Sequence, residues 1–216
     1  MYESITDIMP KKFSALAIGP PRSAKSLFSY QFMADGLMRG EDVIYFVTNN
    51  FPENVIGRIF GDMKNIKAES MKIVDCYTIH AGIDKGSDDY VIRVSGPYAL
   101  NEISIAATKA LKDVKAPIRV VFDTFSTLLL YNNLWQIEEF LNHNIGKLKA
   151  KDASIILMLE EGMHDKKDIS LLESLTDGTM EFNVKEKLIN FRSISEEKTV
   201  KYSVDSNKLV AEKEIA

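Results

Sequence analysis

Two periodicities of hydrophobic positions alternate along the chain. Short continuous apolar runs predict buried strands, and longer stretches with apolar residues three and four positions apart predict helices between them. The runs predict strands over residues 13–18, 43–48, 71–74, 118–122 and 155–159. The helical spacing predicts helices over residues 25–39, 53–63, 100–114, 135–148 and 169–175. Continuous apolar strands separated by helices are typical of a parallel sheet that is covered on both faces.

The pattern changes after Asp177-Gly178, where apolar and polar residues alternate. Three such runs over residues 179–184, 188–194 and 199–204 predict an antiparallel meander. The polar stretch 80–96 predicts a loop with one short strand near 90–94. The fold class is therefore α/β in three layers, with a mostly parallel central sheet and an antiparallel C-terminal meander. We expect one domain over residues 1–216, with its core at about 13–178 and the C-terminal strands at about 179–210.

Composition excludes several classes of protein. The 216 residues carry 27 Lys+Arg and 31 Asp+Glu, a net charge of −4, and 45% are hydrophobic, as in an ordinary globular protein. The apolar runs are far shorter than the roughly 18–20 residues of a membrane-spanning helix, and the N-terminus lacks a signal-peptide pattern. The single cysteine, Cys76, excludes an intrachain disulfide and fits a reducing compartment. We therefore expect a cytoplasmic protein without a membrane partner.

The charge also bears on nucleic-acid binding. A slightly acidic chain without a run of Lys and Arg, and without an appended DNA-binding motif, disfavours DNA as a partner. A local basic groove is compatible with the same net charge.

The segment Gly19-Pro20-Pro21-Arg22-Ser23-Ala24-Lys25-Ser26 has the spacing of a phosphate-binding loop, G-x-x-x-x-G-K-[ST], with Ala24 in place of the second glycine. In such a loop the backbone amides and the helix N-terminus hold a phosphate, the lysine reaches the outer phosphates and the hydroxyl ligates Mg²⁺. The nucleotide-binding candidates are Gly19, Arg22, Ser23, Ala24, Lys25 and Ser26. The alternative is a tight strand-to-helix turn with Lys25 in solvent.

A second acidic position follows the run Arg119-Val120-Val121-Phe122. Asp123 stands at the end of this predicted strand, where phosphate-loop proteins place a carboxylate that holds the magnesium ion. The alternative is that Asp123 caps the turn, since aspartate is common after strands. Beside the phosphate loop, the metal candidates are Ser26 and Asp123.

In order along the chain, these motifs resemble those of the RecA/RadA/KaiC group of ATPases, and of archaeal KaiC-like proteins in particular. The resemblance covers nearly the whole chain and implies a RecA-like P-loop fold, ATP and Mg²⁺ as ligands, and a homo-oligomeric ring. Its markers are Ile18-Gly19-Pro20, Lys25-Ser26-Leu27-Phe28, Gln31-Phe32, Tyr45-Phe46-Val47-Thr48, Ile73-Val74-Asp75, Val120-Val121-Phe122-Asp123-Thr124 and Leu175-Thr176-Asp177-Gly178.

The chain departs from this family at the catalytic positions. Active members have a glutamate after the second core strand as general base, and here that place reads Asn49-Asn50, with no carboxylate before Glu53. Asparagine can position a water molecule but cannot accept its proton at neutral pH. The family's Lys-x-Arg on a late strand corresponds to Asn190-Phe191-Arg192, so that Arg192 alone remains as a candidate contact to a neighbouring subunit.

Together, the resemblance and the departures predict a protein that binds ATP with Mg²⁺, hydrolyses it weakly or not at all, and regulates an unidentified protein partner. Two alternatives stay open. One is an active ATPase that uses a displaced glutamate, Glu53, Glu160 or Glu161, as its base. The other is a pseudo-ATPase scaffold that no longer binds nucleotide. We also expect Trp135 to pack its helix against the sheet.

Overall fold

The computed structural model describes residues 4–60, 70–86, 88–112, 114 and 117–215. A short 3₁₀ helix, Ile5–Ile8, precedes the first strand. The α-helices are α1 Lys25–Met38, α2 Pro52–Phe60, α3 Leu100–Ala110, α4 Phe125–Tyr131, α5 Leu134–Lys149 and α6 Lys166–Leu175. The strands are β1 Ser14–Gly19, β2 Asp42–Val47, β3 Met71–Asp75, β4 Val91–Arg93, β5 Ile118–Asp123, β6 Ala153–Glu160, β7 Gly178–Asn183, β8 Leu188–Ser193, β9 Glu197–Asp205 and β10 Lys208–Ile215.

The strands of the described residues form one sheet in the order β10-β9-β8-β7-β1-β6-β5-β2-β3-β4. Neighbours from β7 through β1 to β4 run parallel, whereas β7 to β10 pair antiparallel. The predicted α/β fold class, with a mostly parallel sheet and an antiparallel C-terminal part, is confirmed. That the chain forms a single domain stays a prediction.

Apolar side chains on both faces of the parallel strands explain the continuous runs in the sequence. In β2, Tyr45 and Val47 belong to the core beneath α1, whereas Ile44 and Phe46 belong to the core beneath α3 and α5. All four side chains are at most 1% exposed. A strand buried on both faces has no polar positions to alternate with its apolar ones.

The parallel strands end at one edge of the sheet, and their register sets which end residues are neighbours. Gly19 at the end of β1 pairs with Glu160 of β6, and Val47 at the end of β2 pairs with Asp123 of β5. The phosphate loop and both acidic strand ends therefore lie along the same carboxyl edge. Crevices at this edge are the usual ligand sites of parallel α/β sheets.

The sheet ends in one strand more than the alternating pattern predicts. Six of the eight side chains of β10 are exposed and only Leu209 is buried, so the strand has no buried apolar run that would mark it in the sequence. Its position is set by α1: the side chain of Gln31 accepts from the Leu209 amide at 2.9 Å and donates to the Leu209 carbonyl at 3.2 Å. A half-buried amide side chain thus joins the C-terminal strand to the helix that follows the phosphate loop.

The helices differ from the predictions in number and extent; α6, for example, begins at Lys166 rather than at 169. The predictions do not include α4, which begins directly after β5 and has Thr124 as its N-cap. The helix predicted over 53–63 begins at Pro52, and residues 61–63 lie outside the described part of the chain. The helix predicted over 100–114 ends at Ala110. The prediction for Trp135 is wrong, because its side chain is 68% exposed while other residues of α5 face the core.

Asp177-Gly178 marks a close approach of backbones where the pattern changes. The Asp177 carboxylate accepts from the amide and the hydroxyl of Ser14 at 2.8 and 2.7 Å, which joins β1 to the start of β7. A Cβ on Gly178 would lie 2.4 Å from the carbonyl oxygen of Arg192, so only glycine fits. In the described part of the chain, no helix has the length and apolar character needed to cross a membrane.

Candidate functional site

The loop between β1 and α1 contains a tight turn. The Ser23 amide donates to the Pro20 carbonyl at 3.1 Å, and Arg22 adopts a left-handed φ of 63° at the third turn position. A Cβ on Gly19 would lie 2.9 Å from the Ser23 hydroxyl oxygen and 3.0 Å from the Cβ of Phe182. Glycine at position 19 therefore lets the loop fold back over the end of β1.

The backbone amides of the loop are divided between internal bonds and open donors. The Ser23 amide is used by Pro20, and the Lys25 amide reaches the Ser23 hydroxyl at a long 3.4 Å. Within the described residues, the amides of Arg22, Ala24 and Ser26 donate to no acceptor. Part of the predicted phosphate cradle is thus open, at the positively polarised N-terminus of α1.

Lys25 is the central side chain of the site. It is 2% exposed, and its Nζ donates to the carbonyls of Gly19 at 3.1 Å and Pro20 at 3.3 Å. The third bond, 2.7 Å long, goes to Oε2 of Glu160 on the adjacent strand β6. An ammonium has three donors, and each has an acceptor. The alternative of a turn with a solvated Lys25 is therefore wrong.

Glu160 is the site residue whose role the sequence did not indicate. The sequence analysis named Glu160 only as one of three candidate displaced bases, whereas its side chain is 19% exposed and is paired with Lys25. The pairing follows from the register, since Glu160 lies beside Gly19 across β1 and β6. Only the strand order could have indicated this contact. The neighbouring Glu161 is exposed.

Asp123 is buried at the end of β5, with 8% of its surface exposed. Its Oδ2 accepts from the Tyr45 hydroxyl at 2.5 Å. Burial raises the pKa of the Asp123 carboxyl and the nearby Glu160 raises it further, while the Tyr45 hydrogen bond and Lys25 act in the opposite direction. The alternative role as a cap is not what the structure shows, because Thr124 is the N-cap of α4.

Tyr45 is a second site residue that the sequence analysis did not single out. It lies on β2, fully buried, and points along the sheet toward the carboxylate at the end of the neighbouring strand. Burial, followed by the charge of Asp123, raises the pKa of Tyr45 well above its ordinary value. The phenol therefore stays a neutral hydrogen-bond donor to Asp123.

The place of the general base holds no free carboxylate. Asn49 is exposed after β2 and makes no hydrogen bond with the described residues. The Asn50 side chain is used at the start of α2, where its oxygen accepts from the Phe51 amide and the Asn54 side chain, both at 2.8 Å. Glu53 is paired with Lys85 at 2.6 Å. Of the residues in this segment, Asn49 alone is left to meet a ligand.

Arg192 lies apart from these residues. It stands on β8, two strands from β1, with a 58% exposed side chain 3.5 Å from Glu181. The structure does not bring Arg192 into contact with the phosphate loop. Its exposure leaves it accessible to another molecule.

The residues of the site fit a phosphate group. The ammonium of Lys25 already binds an anionic oxygen, beside loop amides that lack an acceptor, and phosphate oxygens bind the same kinds of donor. Ser26 and Asp123 supply the oxygen ligands that Mg²⁺ prefers. Asp123 has to be ionised to bind Mg²⁺, whereas its raised pKa favours the protonated carboxyl. The described residues contain no group of three or more His, Cys, Asp or Glu side chains that could hold a metal ion.

Known proteins are similar to this chain in sequence. A family profile described as the KaiC ATPase matches residues 3–207. A UPF0273 protein of Pyrococcus furiosus is 30% identical over 134 residues, 60% of this chain and 53% of the relative. A UPF0273 protein of Aeropyrum pernix is 29% identical over 126 residues, 56% of this chain and 50% of the relative. The chain spans about half the length of these curated relatives.

A solved structure gives the same result for the fold. The crystal structure of a KaiC-like protein from Pyrococcus horikoshii superposes with a TM-score of 0.61 and 16% identity, covering 95% of this chain and 91% of that one. At this identity the likeness shows the fold alone. The family match extends over nearly the whole sequence and includes the phosphate loop, Asp123 and the strands β7 to β9. The chain therefore belongs to the KaiC family of ATPases, nucleotide-binding proteins of the RecA superfamily.

Proposed function

We propose that the chain binds ATP with Mg²⁺ at the phosphate loop, hydrolyses it weakly or not at all, and regulates a partner according to nucleotide occupancy. The observation that carries the proposal is the environment of Lys25, a buried ammonium on two loop carbonyls and one carboxylate. Burying an ammonium is unfavourable unless an anion accompanies it. A phosphate oxygen is an anion that can take the place of Glu160.

In this proposal Lys25 binds the outer phosphates, the open amides near Arg22 and Ser26 hold the phosphate oxygens, and Ser26 with Asp123 binds the magnesium ion. Bound Mg²⁺ would neutralise phosphate charge and favour the ionised form of Asp123. Glu160 would leave Lys25 as the phosphate arrives, so that nucleotide binding is an exchange of one anion for another. Adenine specificity and the cytoplasm as location are part of the same proposal.

The proposal of weak hydrolysis is supported by the segment after β2. Asn49 has no proton-accepting group at neutral pH, Asn50 is held at the helix start and Glu53 is paired with Lys85. Loss of a general base lowers a rate by typically 10²–10⁴-fold. A homo-oligomeric ring, with the exposed Arg192 directed at a neighbouring subunit, is proposed from family membership.

The test is calorimetric titration of ATP, with and without Mg²⁺, into the wild type, Lys25→Ala and Lys25→Met. We expect saturable binding by the wild type and at least a tenfold loss in both variants, about 1.4 kcal/mol or more. Lys185→Ala, at an exposed turn, is the matched control and should bind as the wild type does. Equal affinity in all four proteins would overturn the proposal. Absence of binding throughout would instead support the pseudo-ATPase scaffold.

A second candidate function, an active ATPase, is favoured by one observation. Of the three displaced glutamates, Glu160 alone contacts Lys25, which places its carboxylate at the phosphate end of the site. Single-turnover phosphate release by the wild type and Glu160→Gln separates the two functions. If Glu160 is the general base, Glu160→Gln should slow phosphate release about 10²–10⁴-fold. If Glu160 only competes with the phosphate group for Lys25, Glu160→Gln should bind ATP more tightly and should release phosphate as slowly as the wild type does.

A further inference from the structure

A groove between α3 and α5 carries a positive charge that the phosphate-loop site does not use. It encloses about 820 Å³ and is lined on one side by Lys109 and Lys112 and on the other by Lys147 and Lys151. His143 adds a fifth nitrogen-bearing side chain from α5. We call this surface the lysine groove. It concentrates cations in a chain whose net charge is −4.

The lysine groove lies away from the phosphate loop. The last residues of α3 and α5 precede β5 and β6, so the groove is at the amino ends of these strands. The phosphate loop is at their carboxyl ends. Strands of six to eight residues rise about 3.3 Å per residue, which separates the two places by roughly 20 Å. A ligand of the groove is thus a ligand of a different site.

The groove lysines lack counter-ions within the described residues. Lys109, Lys112 and Lys151 make no ion pair or hydrogen bond there, and the Nζ of Lys147 donates to the neutral hydroxyl of Thr108 at 3.0 Å. Among the described residues, no carboxylate lines the groove. Other lysines of the chain have carboxylate partners, among them Lys12 with Asp152, Lys25 with Glu160, Lys85 with Glu53 and Lys149 with Asp177. Like charges held close together repel each other, and an anionic partner removes that repulsion.

The groove also presents apolar surface. The sequence pattern assigns Ile105 to the apolar face of α3, yet its side chain is 69% exposed and lines the groove with Leu111 and Ala150. Apolar surface between two rows of cations matches an amphipathic segment with acidic flanks. Among the described residues, no Phe, Tyr or Trp lines the groove, so it lacks the large stacking platform that single-stranded nucleic acids use, and His143 is its one aromatic ring. Its cations are all lysines, without the arginine fork that binds phosphates in pairs.

From these observations we propose that the lysine groove binds an acidic amphipathic helix of a partner protein. The apolar face of that helix packs on Ile105, and its carboxylates bind the lysines of α3 and α5. The proposal does not rest on nucleotide binding, because the groove shares no residue with the phosphate-loop site.

The experiment uses a fluorescein-labelled 18-residue helical peptide with leucine at positions i, i+3, i+4 and i+7 and glutamate elsewhere on its surface. Fluorescence anisotropy with the full chain should show saturable binding that weakens as salt rises. Lys109→Glu/Lys147→Glu should lower the affinity at least tenfold, and Ile105→Ser about threefold. Lys185→Glu/Lys213→Glu, which changes net charge equally at exposed positions elsewhere, should bind as the wild type does. Carbodiimide cross-linking should join peptide carboxylates to Lys109, Lys112, Lys147 or Lys151.

Several outcomes would overturn the proposal. These are no saturable binding of the peptide, equal losses in the two charge-reversed proteins, or equal binding of polyglutamate, which has no apolar face. Tighter binding of a 20-nucleotide oligo-dT than of the peptide would assign the groove to nucleic acid. Dimerisation of the free protein that Lys109→Glu/Lys147→Glu abolishes in sedimentation would assign it to a second copy of this chain. Because the substituted side chains lie on the surface, circular dichroism should show all variants folded.

Discussion

Lys25 and the lysines of the α3–α5 groove represent two opposite ways of holding a cation. Lys25 is 2% exposed, and a carboxylate and two carbonyls satisfy all its donors. The groove lysines line an open surface and have no ion pair within the described residues. A buried ammonium needs a partner inside the protein, whereas water and salt screen an exposed one. Only an exposed cluster can keep its charge unmatched until a ligand arrives.

The difference predicts two modes of binding. An anion at the phosphate loop has to replace Glu160, so its affinity reflects the difference between two interactions with Lys25. An anion at the lysine groove replaces no protein group, so its affinity depends directly on salt and on the number of lysines. The following three predictions test this contrast, in order of decreasing effect.

Removing the partner of the buried lysine should have the largest effect on stability. Glu160→Ala leaves Lys25 buried beside two carbonyls without an anion, and we expect the free energy of unfolding to fall by about 3 kcal/mol. Urea denaturation at neutral pH measures it. Glu160→Gln is the control, because its amide oxygen still accepts from Lys25 and the loss should be smaller. A loss below about 1 kcal/mol for Glu160→Ala would mean that the pair behaves as a surface ion pair.

Removing the buried charge of Asp123 should stabilise the protein in a pH-dependent manner. A raised carboxyl pKa means that the folded state binds the proton more tightly than the unfolded state, so stability falls as pH rises from the ordinary pKa through the raised one. Asp123→Asn keeps an acceptor for Tyr45 and carries no charge. We expect the variant to match the wild type at low pH and to exceed it by roughly 1 kcal/mol at neutral pH.

Thermal unfolding of the wild type and Asp123→Asn between pH 4 and 8 follows this difference. Other carboxyl groups have lowered pKa values, such as those of Asp7 and Asp177. They contribute the same pH dependence of stability to both proteins, so they cancel in the difference. Tyr45→Phe is the matched second variant. This substitution removes the hydroxyl that donates to Asp123. It should destabilise the protein at neutral pH, because the buried Asp123 carboxylate then loses that hydrogen bond. An advantage of Asp123→Asn that grows toward low pH would contradict the assignment.

The smallest effect is expected in the lysine groove. Lys109→Gln removes one of several like charges, so the free energy of unfolding should rise by a few tenths of a kcal/mol at low salt and be unchanged at 1 M salt. Lys149→Gln is the control, because Lys149 is paired with Asp177 at 2.8 Å and its removal should destabilise slightly. Destabilisation by Lys109→Gln at low salt would show that Lys109 has a partner.

Most of the parallel core could be predicted from the sequence, because each strand buried on both faces leaves a continuous apolar run. The strand β10 could not, since its side chains are mostly exposed and its position depends on Gln31 of α1. The helix α4 has only seven residues, which are too few for a helical period to stand out in the sequence. Both misses occur where the local hydrophobic pattern is too weak or too short to indicate the element.

The candidate site divides in the same way. The phosphate loop and Asp123 are visible in the sequence because spacing and strand ends are local features. The roles of Glu160 and Tyr45 are not, because each depends on which strand lies beside which: Glu160 meets Lys25 through the β1–β6 register, and Tyr45 reaches Asp123 across β2 and β5. Both contacts join residues more than 70 positions apart.

The sequence by itself determined the α/β class, the phosphate-loop spacing and the absence of a carboxylate between Val47 and Glu53, since each depends on residues that are neighbours along the chain. The tertiary structure decided how charge is distributed. Packing of β6 beside β1 buried Lys25 with a counter-ion, and packing of α3 beside α5 joined Lys109 and Lys147 in one groove. Electrostatic energy depends on distance in space and on exposure to water, and neither follows from position in the sequence.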